Sequence, residues 1–160
     1  MQIVPYNRQA ATAYAGEWAF KRNPKYLNFD KLGGDCTNFA SQCIFAGSNV
    51  MNHTKVTGWY YYSGNNRTAS WTGVSYLYKF LVNNQGMGPF AEVTDQYHVQ
   101  PGDIVQLGTH GGNFYHSPVI VAIDNTGIYV AAHTDDAFMR PLNTYVYDQA
   151  RFLRIVGVRK

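Results

Sequence analysis

Two thiols and five imidazoles are the groups in this 160-residue sequence best suited to nucleophilic chemistry. Cys36 stands at the expected start of a helical segment, directly after Gly33-Gly34 and Asp35. A thiol in the first turn of a helix feels the positive end of the macrodipole and unpaired N–H groups, which favour thiolate. The same N–H groups can stabilise an oxyanion, and the two glycines let the backbone turn sharply. Position alone also allows Cys36 a bland role as a small buried residue. Cys43 falls on the apolar stripe of the same segment with Phe39, Ala40 and Ile44, and reads as a buried small hydrophobe. On one helix the two thiols lie roughly 10 Å apart, at about 1.5 Å of rise per residue. A disulfide needs Cα atoms about 4.4–6.8 Å apart, so each cysteine is expected as a free thiol.

A cysteine nucleophile needs a base, and the base needs a group that orients it. His53, His98 and His110 fall in expected loops, whereas His116 opens an apolar strand and His133 ends the next. A hairpin turning at Asp124–Gly127 sets Ile123 opposite Ile128, His133 opposite Pro118 and Asp135 opposite His116. The two histidines then share a face as diagonal neighbours, about 7–8 Å apart. A register slip of one residue moves them to opposite faces, where each reads as a core histidine. No HExxH or comparable pair is present, so neither metal nor other cofactor is expected.

The elements that must position these groups change period along the chain. A helix capped by Asn7 is expected through about Arg22, on Ala11, Tyr14, Ala15 and Trp18, ending at Asn23-Pro24. The Cys36 helix is expected to stop at Gly47. Residues 49–72 read as a tyrosine-rich loop, and a third helix is expected from about Trp71 to Asn83. Strands follow at Ile104–Leu107, His116–Ile123, Ile128–His133 and Arg151–Val158. Helices first and antiparallel strands after them describe an α+β domain, one unit spanning 1–160.

Composition narrows the class. Aromatic residues are 16% and charged residues only 14% of the chain, which excludes disorder and a charged coiled coil. Only Glu17 and Glu92 are glutamates, so a Glu-based carboxylate machine is not expected. The net charge of +3 is scattered, without the clustered Lys and Arg of a nucleic-acid binder. No apolar run reaches the roughly 20 residues of a membrane span. The first twenty residues lack the pattern of a signal peptide, so an exported protein would have lost its signal or belonged to a longer, multidomain parent chain.

A helix presenting Cys at its N-terminus, packed on a sheet presenting His, is the architecture of papain-like cysteine hydrolases. Tyr6-Asn7-Arg8, Tyr14-Ala15, Trp18, Asn23-Pro24-Lys25-Tyr26, Asp35-Cys36-Thr37-Asn38-Phe39 and Ser41-Gln42-Cys43 resemble the putative amidase domain family. So do Trp59-Tyr60-Tyr61, Ser70-Trp71, Gly102-Asp103-Ile104-Val105-Gln106, His116-Ser117 and His133-Thr134. That family is similar to the NlpC/P60 and CHAP cell-wall amidases and endopeptidases. The resemblance implies N-terminal helices on a C-terminal antiparallel sheet, with Cys36 as nucleophile and His116 as general base. It implies a polar third residue, His133 on the NlpC/P60 pattern or Asp135 or Asp124 on the CHAP pattern. Two departures stand out. Pro118 follows the base, favouring an edge or bulge, and no papain-type glutamine precedes Cys36, which leaves Tyr26 and Asn28 as weak second oxyanion donors.

The implied substrate is peptidoglycan, cut within its stem peptide or at the amide joining peptide to sugar. Trp59, Tyr60 and Trp71 are expected either to line a groove for such a chain or to be half-buried packing. The implied location is secreted or attached to a bacterial cell wall. The rival expectations on the same fold are an inactive wall-binding module and an acyl or amide transferase.

Overall fold

The expected helical period at Ala11, Tyr14, Ala15 and Trp18 forms α1 (Arg8–Trp18) in the computed structural model, which describes residues 1–160. Asn7 caps it, its side chain accepting from the Ala10 N–H at 3.0 Å. The helix stops at Trp18 rather than near Arg22, because the Trp18 carbonyl is taken by His133 Nε2 (2.8 Å) and the Lys21 N–H (3.3 Å). Helix α2 (Cys36–Ser48) runs past Gly47 and ends at Asn49, which adopts a left-handed φ of 55°. Gly47 instead permits close approach: a Cβ there would lie 2.5 Å from the Tyr6 ring and 2.7 Å from the Asn7 carbonyl.

The expected loop 49–72 contains more order than its sequence suggests. It holds β2 (Tyr61–Ser63), β3 (Asn66–Arg67) and the short helix α3 (Ala69–Thr72). Gly73 adopts an extended conformation and separates α3 from α4 (Val74–Asn83), so the single expected helix is two.

The sheet is antiparallel and curled. Its order is β1 (Ile3–Val4), β10 (Gln149–Arg159), β5 (Ile104–Thr109), β7 (Val119–Asp124), β8 (Gly127–Ala132) and β9 (Ala137–Pro141). Strand β4 (Gly88–Thr94) lines the opposite edge of β10, and β6 (Asn113–His116) pairs with β5. The expected run His116–Ile123 is broken at Ser117-Pro118 into β6 and β7, as proline's missing N–H requires.

Residues alternate along β5 between two cores. Ile104 joins the main cluster beneath the helices, with Phe39, Ile44, Trp59, Trp71, Leu77 and Leu153. Val105 and Leu107 point to a smaller cluster with Val99, Ile120, Val130 and Leu142. Both faces of the central strand are therefore covered. The N-terminus is tied to this sheet by Arg8, which donates to Asp103 Oδ1 (2.7 Å), the Pro101 carbonyl (3.1 Å) and the Ile155 carbonyl (2.8 Å). The Tyr6 hydroxyl donates to the Gly102 carbonyl at 2.9 Å. The Tyr6-Asn7-Arg8 and Gly102-Asp103 motifs are thus two halves of one structural clamp.

Candidate active site

Gly33 and Gly34 adopt φ values of 102° and 106°, which only glycine tolerates readily, and deliver the chain to Cys36 at the first turn of α2. The intervening Asp35 is wholly buried and makes no capping bond to its own helix. Its Oδ1 accepts from the Phe29 N–H (2.8 Å) and Asn38 Nδ2 (2.9 Å). Its Oδ2 lies 2.5 Å from His133 Nδ1, and Arg22 Nε stands at 3.6 Å. A neighbouring turn contributes Thr134, whose hydroxyl accepts from the Asp35 N–H at 3.3 Å.

The thiol meets the break between β6 and β7. Cys36 Sγ lies 4.0 Å from the Tyr115 carbonyl and 3.7 Å from Thr37 Oγ1. Thr37 Oγ1 is 3.2 Å from Ser117 Oγ, which accepts from Gln106 Nε2 at 3.1 Å. Segment 115–117 is thereby held along the start of α2, and His116 sits in its middle. The structure brings Cys36 and His116 into one neighbourhood, each nearly buried at 8% and 7% exposure. No hydrogen bond joins the thiol to the imidazole in this state.

His133 occupies a different place from the one its hairpin register predicts. Pairing begins as expected, with Ile123 opposite Ile128 and Ala122 opposite Tyr129, but a bulge at Val121 shifts it by one, so that Ile120 faces Val130. With the break at Ser117-Pro118 as well, His116 ends β6 and His133 follows β8, so the two do not share one hairpin face. The His133 Nε2–H donates to the Trp18 carbonyl and its Nδ1 lies 2.5 Å from Asp35 Oδ2, while its ring stacks on Phe39 at 4.0 Å. Both nitrogens are occupied, so His133 holds the loop that leads to Cys36 and makes no hydrogen bond to His116. Asp124 is also remote, its carboxylate bonded to Thr126 of its own turn. Asp135, in a left-handed turn (φ 56°), is the acid whose charge acts on His116.

The electrostatics reverse one expectation. Burial pushes the Cys36 thiol up, and the Asp35 carboxylate adds to this, against smaller lowering by hydrogen bonds from Thr37 and Ser117. A helix terminus contributes only about 0.3–1 kcal/mol, too little to offset burial. His116 is pushed down from 6.5 to about 4, first by burial and then by the Arg140 cation, with Asp135 opposing. The resting pair is therefore neutral thiol and neutral imidazole.

Trp59 and Trp71 are fully buried, and Tyr60 is 7% exposed; they do not line a groove. The Trp59 indole N–H donates to Ser41 Oγ and that of Trp71 to Asn38 Oδ1, each at 3.1 Å, with the two rings 4.6 Å apart. They brace α2 from behind. Tyr26 stacks on Trp71, and Asn28 Oδ1 accepts from the Asp30 N–H, so neither is set up as an oxyanion donor. Sequence reasoning named Thr37, Ser117 and Gln106 only within motifs, without a role, and did not name Arg140 or Tyr145, because these roles arise from contacts across the fold.

Two grooves, of about 610 and 500 Å³, lie elsewhere: one beside residues 52–58 and 69–86, the other at the β7–β8 turn and residues 141–147. No group of three or more His, Cys, Asp or Glu is placed to hold a metal ion. No helix is long and apolar enough to cross a membrane.

Comparison with known proteins adds a family context. Residues 5–156 match the family described as the putative amidase domain. The chain is 33% identical over 139 residues to the uncharacterized protein YhbB of Bacillus subtilis (strain 168), a match covering 84% of this chain and 43% of that protein. The chain thus spans less than half the length of that relative. No solved structure matches.

Proposed function

This chain belongs to the putative amidase domain family, and we propose that within it the chain acts as a cysteine-dependent amide hydrolase on a papain-like fold. The observation that carries the proposal is the packing of the Cys36 helix start against segment 115–117, which bears His116. His116 takes the thiol proton as Sγ attacks the amide carbonyl carbon, since the neutral pair holds no preformed thiolate. The Cys36 N–H, unpaired at the first turn, donates to the oxyanion. The C–N bond then breaks, and His116 returns the proton to the leaving amine. Water, deprotonated by His116, attacks the thioester and releases acid and thiol.

The substrate favoured by the family resemblance is peptidoglycan, at a stem-peptide amide or its junction with the sugar, which places the activity at a bacterial cell wall. The test is incubation of purified peptidoglycan with wild type and Cys36→Ala, followed by mass analysis of the fragments. Wild type should release new amine and acid termini, and a folded Cys36→Ala should release none. Equal release by the variant sinks the nucleophile assignment.

One observation favours a second reading, a wall-binding module without turnover: the thiol and imidazole are not hydrogen-bonded. Iodoacetamide separates the two. A live site alkylates Cys36 far faster than the fully buried Cys43 and loses that advantage in His116→Ala, whereas a silent one shows no dependence on His116.

A further inference from the structure

Arg140 stands beside the proposed base without a carboxylate of its own. Arg8, Arg22 and Arg154 pair with Asp103, with Asp30 and Asp136, and with Glu92. Arg67, Arg151 and Arg159, like Arg140, have no carboxylate partner and lie over aromatic rings, but Arg140 is the one whose charge acts on His116. The Arg140 guanidinium lies 3.6 Å over the Tyr145 ring, and that ring meets the His116 ring at 5.6 Å. Thr144 holds it in place: Arg140 Nε donates to Thr144 Oγ1 (2.8 Å) and Nη2 to the Thr144 carbonyl (3.1 Å). These bonds use the Nε–Nη2 edge and leave the Nη1–Nη2 edge unengaged. Asp135 faces His116 from the turn after β8 but forms no ion pair with Arg140.

A fixed, unneutralised cation next to a base is unfavourable for that base, because it opposes the imidazolium that catalysis must form. The arrangement becomes favourable when a ligand supplies the missing negative charge. A planar guanidinium with one free edge, pinned by stacking, matches a carboxylate in a two-point contact. We propose that Arg140 is the receiving subsite for a free carboxylate on the substrate, close to the amide that Cys36 attacks, so that the site selects anionic peptides. The proposal rests on the amide-hydrolase reading for its catalytic consequence, but not for binding itself. Wall stem peptides supply such groups, at the peptide terminus and wherever glutamate is linked through its side chain.

The test uses two synthetic stem pentapeptides, one with all carboxylates free and one with each converted to carboxamide. Binding is measured on Cys36→Ala, alone and combined with Arg140→Gln or Arg140→Lys, and kcat/KM on the forms that retain Cys36. The free-acid peptide should bind Cys36→Ala about 10- to 100-fold more tightly than the carboxamide. Arg140→Gln should reduce that ratio to about one, and Arg140→Lys should restore part of it. Equal affinity for the two peptides, a parallel loss for both in Arg140→Gln, or no binding of either overturns the subsite. The first comparison uses no Arg140 variant, so misfolding of Arg140→Gln cannot produce that outcome. If the binding preference holds but wild type cleaves neither peptide, the hydrolase reading falls and the carboxylate subsite stands. Cleavage of both peptides at equal kcat/KM removes the subsite and leaves the hydrolase.

Discussion

Asp35, directly before Cys36, forms a buried pair with His133, both of whose imidazole nitrogens are engaged. The pair is fully buried; Asp35 also accepts from the Phe29 N–H in the loop before α2, and His133 donates to the Trp18 carbonyl at the end of α1. Each end also gains from its partner's sign: a carboxylate at the start of α2 and a hydrogen-bonding imidazole at the finish of α1. Removing one member of such a pair strands the other, so His133→Ala should cost about 3–5 kcal/mol in urea unfolding. A variant within about 0.5 kcal/mol of wild type would show that Arg22 alone can hold Asp35. His116 makes a prediction of opposite character. Its folded value is about 4, below the roughly 6.5 of an unfolded histidine, so the unfolded chain binds the extra proton between these limits. Stability from this group is complete above about pH 6.5 and declines as pH falls towards 4, by about 3 kcal/mol in all. His116→Gln should flatten that part of the urea-midpoint profile; an unchanged slope would place the acid lability elsewhere. Cys36 was legible at a helix start, whereas His116, expected to open a strand, instead ends β6 before the break at Ser117-Pro118. The surroundings of His133 were not legible, because the bulge at Val121 and the break at Ser117-Pro118 undo the single hairpin on which its expected position rests.

Among the elements, α2 is the one whose boundaries depend most on its surroundings. Gly47 looks like a stop from sequence, yet it lies inside the helix where Tyr6 and Asn7 press against it. An alanine in a helix interior normally gains up to about 1 kcal/mol over glycine. Here the new methyl would overlap a ring and a carbonyl, so Gly47→Ala should instead destabilise by about 1–3 kcal/mol. A rise in thermal midpoint would contradict this placement. The same logic covers the aromatic residues behind the helix. Trp59 and Trp71 were legible as large apolar surface, but their hydrogen bonds to Ser41 and Asn38, which direct them inward, come from another element. The starts of α1 and α2 and the strands β5, β7, β8 and β10 follow from period and turn residues, whereas β4 and β9 were not expected. The short strands β1, β2 and β3 have two or three residues each, too few to show a period.

For the whole molecule, the clamp between Arg8 and Asp103 decides whether the helical layer stays on the sheet. Arg8 spans three separate segments of the chain, and Asp103 also accepts from the Ile155 and Gln100 N–H groups. Arg8→Ala should cost about 3 kcal/mol and raise hydrogen exchange in α1 before the β5–β10 amides. Uniform loss of protection would mean that α1 unfolds only with the sheet. The order of helices and strands, and hence the α+β class, was legible; the curl of the sheet and the way its ends reach the helices were not, since they rest on pairings distant in sequence. The Asp35–His133 contact joins residues 98 apart, and this sets a timetable for the thiol. At a synthesis rate of roughly 5–20 residues per second, Cys36 waits about 5–20 s for the partner of its own loop to be made. Through that interval the thiol belongs to an unfinished chain, open to oxidants and disulfide exchange. The contact that fixes the loop before Cys36 also ends the thiol's period of exposure.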